Sequence, residues 1–133
     1  MESSALVAAL LEHDTTAITA RPVGVRHLTS ALTFAEAARA IVRARATGRL
    51  TAVQEQAAIR ALRTFTRRCF TLDVDSAVLA RVGRPFPVEP IRTLDAVHLA
   101  TAELLDEPPQ LVTIVTRDAR MRVNAEALGY ATA

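Results

Sequence analysis

Residues 110–129 read QLVTIVTRDARMRVNAEALG, and the fold turns on them. The first seven form a near-continuous apolar run, which suits a strand covered on both faces, as in parallel sheets. Asp118 follows almost at once. Residues 118–129 then have helical composition and close on Gly129, a usual helix stop. A strand that passes through one acid into a helix is half of a β–α unit.

The same alternation extends upstream. TLDAVHLATAELL (93–105) reads as a helix capped by Thr93. RPFPVEP (84–90) carries three prolines in seven residues and admits no regular structure. DSAVLARVG (75–83) is a short helix ending at Gly83, and CFTLDV (69–74) a strand. Residues 51–68 form a helix with Val53, Ala57, Leu62 and Phe65 broadly on one side. Residues 33–47 form another, with Thr33 and Glu36 as a T-x-x-E capping box and Gly48 closing it. VRHLTS (25–30) is a short strand, 15–23 a short helix and 3–13 a longer one; YATA (130–133) is too short to assign. Strands alternating with helices predict a parallel α/β sheet with right-handed crossovers. Ligands of such sheets bind beyond the carboxyl ends of the strands, where helices begin.

The 133 residues suffice for a single domain with one core, and 50% of them are hydrophobic. A lone cysteine, Cys69, excludes an internal disulfide and a cysteine-built zinc site. It fits a reducing cytoplasm and reads as a small buried apolar residue. Neither a secretory signal nor a membrane-length apolar run is evident. All sixteen basic residues are arginine. That reflects either codon bias or affinity for phosphates and acidic segments, which guanidinium binds bidentately. Arg60, Arg63, Arg67 and Arg68 line one helix, as a solvated face or as a guide for a polyanion; Arg39 and Arg43 share the face of Glu36.

Four acids fall near helix starts: Glu2, Glu36, Asp95 and Asp118. Singly, each complements a helix dipole or completes a cap. Together, at one edge of a parallel sheet, they would repel one another unless a cation sat among them. All-oxygen ligands suit Mg²⁺ or Mn²⁺, and such ions serve phosphodiester hydrolysis. His98, three residues after Asp95, reads as a hydrogen-bonded core histidine rather than a ligand.

SSALV (3–7), TSALTFAEAARAI (29–41), RTLDAVHLATAELL (92–105) and VTRDARM (115–121) together resemble the signature blocks of PIN-domain ribonucleases, specifically the VapC toxins of bacterial toxin–antitoxin pairs. The resemblance implies one PIN domain over residues 1–133, a three-layer α/β/α architecture and a Mg²⁺- or Mn²⁺-dependent endoribonuclease. It further implies inhibition by a cognate VapB-type antitoxin, a homodimer and a cytoplasmic location. Glu36, Asp95 and Asp118 match the family's acidic positions, Thr116 a hydroxyl position beside them, and Ser3 and Ser4 the small polar residues after the first acid.

The opening departs from the pattern twice. The family's first strand is missing, and Glu2 stands where its aspartate belongs. We expect the natural product to start upstream, with Met1 a mis-assigned start; the rival is a real truncation that degrades the toxin. Glu2 is one methylene longer than aspartate and weakens metal geometry rather than abolishing it. A second reading follows: a PIN-like protein, impaired in catalysis, that binds antitoxin or a related toxin. A nucleotide-binding domain is disfavoured because no glycine-rich phosphate loop occurs.

Overall fold

The computed structural model describes residues 3–11 and 26–133, with the side chains of 5–7, 10 and 11 in the first stretch. The expected helix at 15–23, the start of the strand at Val25, and Glu2 lie outside the described residues. Helix α1 (Ser3–Leu11) packs on α2 (Ala31–Ala46), which strand β1 (Leu28–Ser30) feeds directly. Helix α3 (Ala52–Arg68) returns the chain to β2 (Phe70–Leu72), parallel to β1 with Leu28 opposite Phe70 and Ser30 opposite Leu72. Then come α4 (Ser76–Val82), the proline loop, α5 (Thr93–Glu103), a 3₁₀ turn (Pro109–Leu111), β3 (Thr113–Ile114), α6 (Ala119–Ala127) and β4 (Ala131–Thr132). Strands β3 and β4 are parallel, with Thr113 opposite Ala131. The chain is thus α/β with parallel pairing, and among the described residues its ladders form two separate strand pairs.

Local chemistry explains the boundaries. Helix α2 begins two residues before the expected capping box. Ser30, in an extended conformation, accepts a hydrogen bond from the Leu32 amide and is the real N-cap. Thr33 is fully buried and accepts a bond from the Thr29 hydroxyl instead (2.8 Å), so Glu36 lies in the second turn. Gly48 (φ +76°) ends α2 in a Schellman arrangement, with the Arg49 amide on the Ala44 carbonyl and the Gly48 amide on that of Arg45. Helix α3 carries a true capping box, Thr51 with Gln54. Its inner face is narrower than expected: Ala58 is buried and Leu62 and Phe65 are half-buried, whereas Val53 is left 76% exposed. Phe65 meets the Phe34 ring of α2 at 6.4 Å.

The strand expected over 110–116 is shorter. Pro108 and Pro109 wind the chain into a 3₁₀ turn, leave Leu111 exposed, and confine pairing to Thr113–Ile114. The unassigned tail proves to be a strand: besides β4, the Ala133 amide bonds the Ile114 carbonyl and the Ala133 carbonyl accepts from the Thr116 amide.

Helix α5 is the centre of the molecule. Residues 95–101 are all buried, so it is covered on every side rather than amphipathic. Leu99 packs with Val78, Phe86, Ile114, Met121 and Tyr130 in the main core. The proline loop is irregular, as expected, yet ordered by specific bonds. The two Glu89 carboxylate oxygens accept from the Phe86 and Ile91 amides. Asn124 of α6, 1% exposed, accepts from the Val88 amide and donates to the Val88 carbonyl, both at 2.9 Å.

Cys69 is half-buried rather than buried, and its thiol donates to the His27 carbonyl (3.3 Å). Burial pushes its pKa above the ordinary thiol value. At pH 8 the thiol therefore alkylates several-fold more slowly than glutathione does, measured with iodoacetamide on the native protein. A rate equal to that of glutathione would contradict this environment.

Candidate active site

Two of the four acids come together at adjoining helix starts. Asp118 is the N-cap of α6. Its Oδ1 accepts from the Arg120 and Met121 amides at 2.8 and 3.2 Å, which leaves Oδ2 for other partners. The preceding strand aims it, because the Thr116 hydroxyl, 1% exposed, accepts from the Asp118 amide (3.1 Å). Asp95 is the third residue of α5 and is buried. The expected N-cap, Thr93, is instead the first helical residue; Arg92 occupies the cap position without a side-chain cap bond. With no hydroxyl capping this terminus, the Asp95 carboxylate lies in the positive field of the first turn.

Arg92 joins the two acids. Its Nε lies 3.8 Å from Asp95 Oδ2, and its Nη2 lies 3.6 Å from Asp118 Oδ2. The third acid, Glu36, reaches α5 one turn further on, where its Oε2 meets His98 Nε2 at 2.7 Å. His98 is a hydrogen-bonded core histidine, as expected, but its partner is a candidate site residue. Among the described residues no group of three His, Cys, Asp or Glu side chains is gathered tightly enough to hold a metal ion. Glu2 lies outside the described residues. Thus Asp95 and Asp118 are brought together with Thr116 bonded to the Asp118 amide, whereas Glu36 pairs with His98 and does not join them. Arg92 escaped the reading of the sequence, although its i,i+3 spacing to Asp95 was a usable signal.

Two carboxylates thus stand at the starts of α5 and α6, over a parallel α/β core. The chain belongs to the PIN-domain family, whose model matches residues 1–127. Among its relatives is Ribonuclease VapC35 of Mycobacterium tuberculosis H37Rv, 35% identical over 107 residues that cover 80% of this chain and 71% of the relative. Ribonuclease VapC46 of the same strain is 35% identical over 133 residues, 98% of this chain and 92% of the relative. No solved structure matches the chain.

Proposed function

We propose that the chain is a VapC-type toxin of a toxin–antitoxin pair: an endoribonuclease that hydrolyses RNA phosphodiester bonds with Mg²⁺ or Mn²⁺ and is inhibited by a VapB-type antitoxin. The observation that carries this reading is the convergence of Asp95 and Asp118, in a chain similar to two ribonucleases, on a single cationic group. The donors fit a hard divalent cation in kind. Mg²⁺ is commonly held by one or two carboxylates, with waters and substrate phosphate completing the shell. Asp95 and Asp118 supply that pair, and the guanidinium that lies against both of them supports the reading of a place for positive charge.

A bound cation would supply Lewis acidity to the phosphate and a more acidic water as nucleophile. The chain's own residues do the rest. Asp95 is fixed by burial in the first turn of α5. The Thr116 hydroxyl and two α6 amides fix Asp118. His98 holds Glu36 ready as the third carboxylate, and Glu2 is the fourth. A homodimer and a cytoplasmic location complete the proposal.

The test is RNA cleavage by the purified chain in Mn²⁺ and in EDTA. Cleavage that EDTA lowers by at least about 10²-fold is the expected result; equal cleavage in EDTA overturns the metal-dependent reading. A second reading, a PIN-like protein that binds antitoxin or a related toxin without cutting, is favoured by one observation: among the described residues no third acid joins Asp95 and Asp118. Antitoxin binding with no cleavage in either condition would establish it instead.

A further inference from the structure

We propose that Arg92 is a built-in counter-ion of the acidic site, bridging Asp95 and Asp118 when no divalent cation is bound and leaving as one enters, so that it sets the metal affinity of the protein. The inference rests on the metal-dependent reading above. Three observations carry it.

The first is placement. One guanidinium faces both carboxylates, through Nε on one side and Nη2 on the other. A planar, multi-donor group can span two acids in this way, whereas a lysine ammonium is a single point charge. The second is looseness. Separations of 3.8 and 3.6 Å exceed hydrogen-bond length, so the attraction is chiefly Coulombic. The Arg92 side chain is also 64% exposed and can swing into solvent without opening the core.

The third is the contrast with its backbone, which is fixed. The Arg92 carbonyl accepts from the Ala96 amide (2.9 Å), and Glu89 holds the neighbouring Ile91 amide (2.8 Å). A loosely held cationic head on a fixed stem is suited to exchange. A divalent cation brings twice the charge of Arg92 to the same two carboxylates. The two cations cannot share the space between the acids without repulsion, so each weakens the other's hold.

The test measures Mn²⁺ binding by calorimetry on the full chain, with no RNA and no activity readout. Arg92→Ala is expected to bind Mn²⁺ about tenfold more tightly than the wild type, the scale set by removing one positive charge about 4 Å away in a solvated site. Arg92→Gln, which keeps most of the side-chain bulk, should do the same, and circular dichroism checks the fold of both. Tighter binding by either folded variant, or binding by a variant where the wild type shows none, supports the proposal. Unchanged or weaker binding in both variants, with a wild type that does bind, overturns it and leaves the metal site standing. No binding by wild type or variants overturns the metal reading and this proposal with it.

Discussion

On the proposed function, Asp95→Asn is expected to lower metal-dependent RNA cleavage by on the order of 10²–10³-fold or more while the protein stays folded. The magnitude is that of removing one fixed charge from a reacting centre, the role proposed for Asp95. The fold survives because asparagine has nearly the same volume in a buried position, and volume-conserving changes disturb a core least. The variant forfeits the attraction of the carboxylate for the α5 N-terminus, worth about 0.3–1 kcal/mol. Its ion pair with Arg92 is an exposed one on the arginine side and adds little. Cleavage rate in Mn²⁺ and thermal midpoint, measured together, check both halves of the expectation. A folded Asp95→Asn protein that cuts at the wild-type rate would remove Asp95 from the site.

Asn124→Ala unfolds the protein more easily, by about 3 kcal/mol. The buried amide makes two bonds to Val88 and a third, at 3.3 Å, to the Arg120 carbonyl. Each buried bond lost costs about 1 kcal/mol net, more where a partner is stranded, and truncation leaves a void in α6. Val88 is partly exposed, so water re-satisfies some of its backbone, which keeps the figure from rising further. Urea denaturation should show a lower midpoint at an unchanged slope. A loss below about 1 kcal/mol would mean that the proline loop keeps its place without Asn124. The same variant should also cut RNA less well, because this loop leads directly into Arg92 and Asp95.

Most of the frame was legible from residue patterns. Gly48, the Thr51 start of α3, the proline loop and the strand-to-helix passage at Asp118 all follow from local chemistry, and local chemistry is what a sequence displays. The misreadings have a common cause in partners distant along the chain or competing within it. Thr33 looks like a cap until Thr29 takes its hydroxyl and Ser30 takes the helix start. Leu111 looks like core until the two preceding prolines wind the chain outward. Strand β4 is too short to show a period; its parallel partner reveals it. At the site, the nearness of Asp95 and Asp118 followed from topology alone, since both open helices after the strands and loops of one α/β core. The Glu36–His98 pair did not follow, because nothing local marks a partner on another helix.

The uneven covering of the helices also distributes mutational tolerance. In α5 every residue from Asp95 to Thr101 is enclosed, so substitutions there trade volume or charge against a packed neighbour. In α3, Ala58 is the buried residue of seventeen, and its arginines face water. Drift can rewrite the outer surface of α3 at little energetic expense while Asp95 stays anchored to the least replaceable segment of the chain. A protein built this way is free to change its outer face without disturbing the packed segment that carries Asp95.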